Sequence, residues 1–306
     1  MKRIAVAAGM VIAAVAMMGM GSRGGDAPKR PKITGIAFVR IKVTDEKAAR
    51  AFYNEALRMP QIKSGSFGPS AECLFVNITQ QVDLVKTVGP STGRQIESVG
   101  MFTSDVKGLR KYLVARGLRP GALNSGASSV TSFEIKDPEN HALEFLQLNS
   151  NGIGGSISGG PPIAGRLIHA GWVVKDREAM DRFYRDVLGF HLYWQGGMKD
   201  DRVDWVSMQA PDGTDWIEYM LNIPPDANKH LLGVMNHIAL GVPSVQAAAE
   251  QLKKNGVKLT EEPKIGRDGK WQLNLFDPDD TRVELMEFAP VEKPCCSEFT
   301  GTHPKP

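Results

Sequence analysis

The chain repeats itself. Residues 40–57 read RIKVTDEKAARAFYNEAL and residues 171–188 read GWVVKDREAMDRFYRDVL, and the two align without a gap at an offset of 131 residues. Farther on, KDPENHALEFLQL at 136–148 matches FDPDDTRVELMEF at 276–288 at an offset of 140. Two widely spaced matches in the same order, at nearly the same offset, define two homologous halves and fix the architecture before any single element is read.

Each half divides again. In 167–221 a strand ends at Val173 and Val174, and Asp176 is a helix N-cap. Met180, Phe183, Tyr184, Val187 and Leu188 then form an apolar stripe at helical spacing, closed by Gly189. Three strand-like runs follow, FHLYWQ, VDWVSMQA and DWIEYML, the last two joined by the turn signature Pro211-Asp212-Gly213-Thr214. Residues 235–288 repeat that order, with NHIALGV as first strand, Ser244 as cap, VQAAAEQLKKN as helix, and strands near KLTEEP, KWQLNLF and RVELMEF. Residues 34–88 and 97–148 do the same, with helices near 45–57 and 105–116. The expected fold class is α+β: four β-α-β-β-β modules in two tandem domains, 33–150 and 167–289. A Gly/Ser/Pro linker at 151–166 joins them, and a tail at 290–306 is expected to be disordered.

Four strand-like stretches of the second half each carry an ionisable residue near their centres: His169, Glu218, His237 and Glu284, with gaps of 49, 19 and 47 residues. Such groups do not sit in apolar strands unless something there satisfies them. Two imidazoles and two carboxylates suit one divalent metal ion, and Zn, Ni, Fe, Co and Mn all accept such ligands. All five tryptophans, Trp172, Trp194, Trp205, Trp216 and Trp271, also lie in this half. Strand alternation puts Trp216 and Met220 on the face of Glu218, so both are candidate lining of a substrate pocket, while Trp172 points away from His169.

Paired β-α-β-β-β modules, with FYRDVLGF and FDPDDTRVEL, resemble the vicinal oxygen chelate superfamily. That group includes glyoxalase I, methylmalonyl-CoA epimerase, extradiol ring-cleavage dioxygenases, fosfomycin-resistance enzymes and metal-free bleomycin-resistance proteins. The resemblance covers roughly residues 34–288. It implies a half-open, U-shaped sheet around a metal, with ligands from the first and last strands of each module. Those positions are His169, Glu218, His237 and Glu284, a set similar to bacterial-type glyoxalase I. By resemblance Glu284 is the ligand that detaches to act as proton-shuttling base. In the first half Phe38 stands for His169 and Ser98 for His237, the Glu218 position falls in VDLVKTV without a Glu, and only Glu144 matches Glu284. That half is expected to hold no metal.

The resemblance leaves three functions open. One is a metal-dependent lyase, isomerase or epimerase acting on a small substrate that chelates through adjacent oxygens. Another is an extradiol dioxygenase using Fe(II), as four modules with a metal only in the C-terminal half suggest. Its signature Tyr is replaced by Asn274, its Gly by Asp280, and the spare His230 falls in a loop. The third is a non-catalytic binder of a small molecule.

Lys2 and Arg3 precede the apolar run from Ile4 to Met20, which ends in Gly19-Met20-Gly21-Ser22. Residues 1–25 therefore read as a secretory signal peptide, giving a periplasmic or secreted protein with no stable membrane insertion after cleavage. A net charge of +3 without a basic block argues against nucleic acid as a partner. Oligomeric state is not legible. Cys73 reads as core, Cys295 and Cys296 as an exposed pair, His191 and His141 as structural, and Asp200-Asp201 and Asp279-Asp280 as solvated turns.

Overall fold

A computed structural model describes residues 28–61, 72–125, 130–149 and 161–306. The signal-peptide reading at 1–25 lies outside the described residues, as does most of the linker. Two mixed sheets form the protein, one per half. Strands β1 (Ile33–Val43), β2 (Glu72–Phe75), β3 (Gln81–Lys86), β4 (Ile96–Thr103), β5 (Val130–Lys136) and β6 (Ala142–Leu148) make the first, in the order β2-β3-β1-β4-β6-β5. The second uses β7 (Arg166–Val173), β8 (His191–Gly196), β9 (Trp205–Gln209), β10 (Trp216–Met220), β11 (His237–Val242), β12 (Lys264–Ile265), β13 (Trp271–Phe276) and β14 (Arg282–Glu287). Its order is β12-β13-β14-β11-β7-β10-β9-β8.

In both sheets the first strands of the two modules run antiparallel at the centre, and each pairs in parallel with the last strand of its own module. Helices α1 (Glu46–Arg50), α2 (Val106–Ala115), α3 (Arg177–Asp181) and α5 (Val245–Lys254) cross over between them, α4 (Lys229–Met235) being the extra helix between modules. Asp45, Asp105, Asp176 and Ser244 cap the four crossover helices by accepting from a backbone N–H three residues on. After α1 and α3 the chain winds on as π-helix, Ala51–Ala56 and Arg182–Val187, so the repeat extends to this local irregularity. Its apolar stripe delivers Tyr53, Phe183, Tyr184 and Leu188 to the shared core.

The motifs that mark the repeat meet across the halves. Tyr53 donates to the Asp277 carboxylate at 2.9 Å, and Tyr184 to that of Asp137 at 3.3 Å. Phe-Tyr of one half thus closes on the Asp-Pro turn of the other, twice. Asp279 takes part as well. It is buried and accepts from the backbone N–H and hydroxyl of Thr44, so it is an inter-half lock and not the solvated turn its sequence suggests.

Three further expectations are corrected. His230 lies in α4, capped by Asn228, and not in a loop. The run KLTEEP gives no strand; the short β12 comes after it, beyond Pro263, which cannot donate to a ladder. Most of all, the tail is not disordered. Cys295 and Phe299 pack against Tyr193, Trp194 and Trp216, and Cys295 is disulfide-linked to Cys296. The backbone N–H of Val291 donates to Gly269 O, that of Cys295 to Arg267 O, and that of Thr300 to Tyr193 O. A few anchors in a stretch rich in Pro and Lys outweigh its average polarity, because β8 and the β12–β13 turn leave unpaired backbone for it to satisfy.

Candidate metal centre

The four central strands of the second sheet lie side by side as β14-β11-β7-β10, and each contributes one ionisable side chain. Gly171 of β7 faces both Glu218 of β10 and His237 of β11, while Ala239 of β11 faces His169 and Glu284. Register therefore puts the four groups around one point. His169 Nε2 is 3.0 Å from His237 Nε2 and 3.7 Å from both Glu218 Oε2 and Glu284 Oε2. His237 Nε2 lies 3.2 Å from Glu218 Oε2 and 4.0 Å from Glu284 Oε2. Ligands bonded at about 2.1 Å to one ion stand no more than about 4.2 Å apart, so every one of these pairs can share an ion. His169, Glu218 and His237 form one compact group whose ligand atoms lie within 4.8 Å of one another, and Glu284 stands within 4.0 Å of both imidazoles but outside that group.

Local features prepare the imidazoles. A Cβ on Gly171 would fall 2.2 Å from the His237 ring, so only glycine lets that ring lie across β7. His237 Nδ1 faces the Met235 carbonyl at 3.1 Å, which calls for the Nδ1–H tautomer and leaves Nε2 with its lone pair. Burial holds both imidazoles well below their usual protonation range, so both are neutral. The buried His169 Nδ1 has no hydrogen-bond partner. Two neutral imidazoles and two carboxylates match a divalent cation in charge as well as in donor type, and on that ground the residues fit a metal.

The carboxylates are held differently. Glu218 Oε1 accepts from Ser207 at 3.2 Å. Glu284 is buried, which lifts its carboxyl to about 7; Arg282, 3.7 Å away, opposes the rise and Glu218 adds to it. Both open on a cavity of about 370 Å³, whose wall includes Trp216, Met220, Arg282 and Phe299. Trp216 and Met220 thus line the cavity, and Trp172 is on the other face, stacked on His141.

Ser207, Arg282, Phe299 and Lys270 were missed by the sequence reading. Lys270 is fully buried, its ammonium about 5 Å from the ring centres of Tyr193, Trp216 and Phe299. It donates to Tyr193 Oη at 3.0 Å, and Tyr193 in turn meets His303 Nδ1 at 2.5 Å. The lysine inside the otherwise strand-like KWQLNLF was the available signal.

In the first half the same register puts Phe38, Asp83, Ser98 and Glu144 at the four positions. VDLVKTV holds no Glu, as read from the sequence, but its Asp83 puts a shorter carboxylate where Glu218 stands. Both imidazoles are lost.

The model of the Glyoxalase/Bleomycin resistance protein/Dioxygenase superfamily matches residues 166–285. A probable chloroplastic lactoylglutathione lyase of Arabidopsis thaliana is 27% identical over 135 residues, covering 43% of this chain and 38% of that protein. The mitochondrial methylmalonyl-CoA epimerase of Mus musculus is 32% identical over 131 residues, 40% of this chain and 72% of the epimerase. Among solved structures, homoprotocatechuate 2,3-dioxygenase from Arthrobacter globiformis superposes with a TM-score of 0.63 at 16% identity, over 88% of this chain and 85% of that one. This last likeness is one of fold and extends across both halves.

Proposed function

The chain belongs to the glyoxalase/bleomycin resistance protein/dioxygenase superfamily, and from that premise we propose that its C-terminal half is a metal-dependent lyase or isomerase, epimerases included. Its substrate is small and chelates through adjacent oxygens. The observation that carries this reading is the grouping of His169, Glu218 and His237, with a second carboxylate, Glu284, within 4.0 Å of both imidazoles on the same cavity. Buried ions cost several kcal/mol each unless paired; Arg282 lies 3.7 Å from Glu284 alone, and a divalent cation among the imidazoles and carboxylates would complete the balance. A bound Zn, Ni, Fe, Co or Mn ion would supply Lewis-acid polarisation of the two oxygens. Glu284 faces the cavity and takes the proton from the carbon beside them, with Arg282 alongside. Ser207 fixes the other carboxylate, Glu218, and Trp216 and Met220 wall the substrate from water.

Metal analysis of protein purified without chelators tests the reading. One divalent ion per chain is expected, falling to none in His169→Ala/His237→Ala. Glu284→Gln is expected to remove turnover, by at least about 100-fold for a lost general base, while keeping partial metal affinity. A wild-type chain that takes up none of Fe, Zn, Ni, Co or Mn would refute it.

The whole-chain likeness to a ring-cleaving dioxygenase supports a second reading, with His169, His237 and Glu284 holding Fe(II). Asn274 stands opposite Glu284 on β13 and donates its amide to Glu261, which disfavours that reading. Oxygen uptake with catechols under Fe(II) separates the two: uptake that depends on Glu284 sinks the lyase. Export to a periplasm or the exterior is a further part of the proposal, carried by residues 1–25. An intact native N-terminus in the cytosol would overturn it.

A further inference from the structure

The N-terminal sheet carries a cation of its own. Arg40 occupies on β1 the position that Gly171 occupies on β7, facing Asp83 of β3 and Ser98 of β4. Its guanidinium reaches all four positions that correspond to the metal ligands. Nη1 donates to Ser98 Oγ at 3.1 Å and to Glu144 Oε2 at 3.5 Å, Nη2 is 3.6 Å from Asp83 Oδ2, and Cζ lies 4.7 Å from the Phe38 ring centre. We propose that Arg40 is the resident cation of the first half, standing where the second half holds its metal, and that the two carboxylates kept there form a cation site occupied by the chain itself.

Steric exchange supports the assignment. In the second half glycine at the central position makes room for the His237 ring, with which a Cβ would collide. The first half inverts the pair: a long side chain at 40 and the small Ser98 opposite. Electrostatics agree. Asp83 is fully buried and Glu144 partly so, its side chain 14% exposed, and carboxylates withdrawn from water call for a partner charge. Each is held in place from elsewhere, Asp83 by Gln81 and Glu144 by Ser132. A guanidinium presents its donors in one plane and so can serve several carboxylates and a hydroxyl at once. Its Nε and Nη2 still lack hydrogen-bond partners, as expected of a group that fits a receptor built around a more compact charge. On this reading the first half takes up no metal because its cation is covalently attached.

The proposal is tested on the full chain with Arg40→Ala. The expected result is one additional cation equivalent per chain, read as a rise in bound Mn or Zn from one to two on chelator-free metal analysis. Alternatively, methylguanidinium at millimolar concentration raises the variant's Tm by about 2 °C or more without moving the wild type. The variant Arg40→Ala/Asp83→Asn/Glu144→Gln is expected to gain neither. If Arg40→Ala does not fold, Arg40→Met/Asp83→Asn/Glu144→Gln decides, since removing all three charges together should restore folding. A folded Arg40→Ala that takes up no added cation would overturn the proposal. So would a triple variant no more stable than the single one, or a wild type that already binds two ions with one lost on Asp83→Asn. Because the first-half site is scored separately from His169 and His237, its failure is distinct from failure of the C-terminal metal centre.

Discussion

Gly171 decides more of the candidate metal centre than its size suggests. It neighbours Glu218 and His237 on either side, and the His237 ring fills the volume of its missing side chain. Gly171→Ala is expected to displace that ring and weaken metal affinity roughly 10–100-fold, the usual cost of misorienting a ligand. Global stability should fall by only about 1–3 kcal/mol from overpacking. Titration with a competing chelator alongside thermal melts separates the two; an unchanged affinity would show that the ring does not need the gap. Lys270 makes a second residue-scale case. Burial brings its ammonium down to about 8, against the pull of Asp268, Glu284 and Glu218. The folded pKa is below the unfolded one, so the unfolded chain binds more protons between about pH 8 and 10.5, and folding gains from Lys270 as pH rises through that window. Lys270→Met keeps the stem packed among the rings and removes the charge. The variant's Tm relative to wild type should be most favourable below pH 8 and lose that advantage toward pH 10. A difference flat across this range would mean that the ring faces fully offset the lost hydration.

At the scale of elements, the C-terminal segment does the work of a strand without being one. The second sheet ends in β8 on one side and β12 on the other. Residues 291–303 bond to the β12–β13 turn through Gly269 and Arg267 and to β8 through Tyr193, and Gln209 donates to Thr302 O at 2.8 Å. Phe299 reaches from this segment into the cavity wall. Deleting 294–306 is expected to expose Tyr193 and Trp194, shift tryptophan emission to the red and lower Tm by several degrees, at roughly 2–4 °C per kcal/mol for a domain of this size. Metal stoichiometry should stay at one, because all four candidate ligands are carried by β7, β10, β11 and β14. Unchanged emission and Tm would show that it does not cover that face. The helices make the opposite point. Their caps and stripes were readable residue by residue, whereas α4 and the π-helical turns were not. Both depend on what the chain packs against, and π-helix carries no period that a sequence displays.

For the whole molecule, two halves closed by crossed Phe-Tyr and Asp-Pro contacts follow from a repeat that is visible in one dimension. Among the described residues no helix is long and apolar enough to cross a membrane. The sequence alone determined the strand and helix periodicity, the tandem α+β architecture and the four ionisable residues in apolar strands. These are properties of spacing and composition, and spacing survives in a string of letters. Tertiary structure decided everything that depends on register and proximity. It identified Asp83 as the counterpart of Glu218 and Arg40 as that of Gly171, buried Asp279, and folded the tail over Tyr193. It also brought Ser207 and Arg282 to the cavity wall, and Lys270 behind the Trp216 ring, from separate stretches of chain. The physical reason is that a side chain's charge and shape take their meaning from neighbours across strands. Those neighbours are chosen by hydrogen-bond register, which no local pattern records.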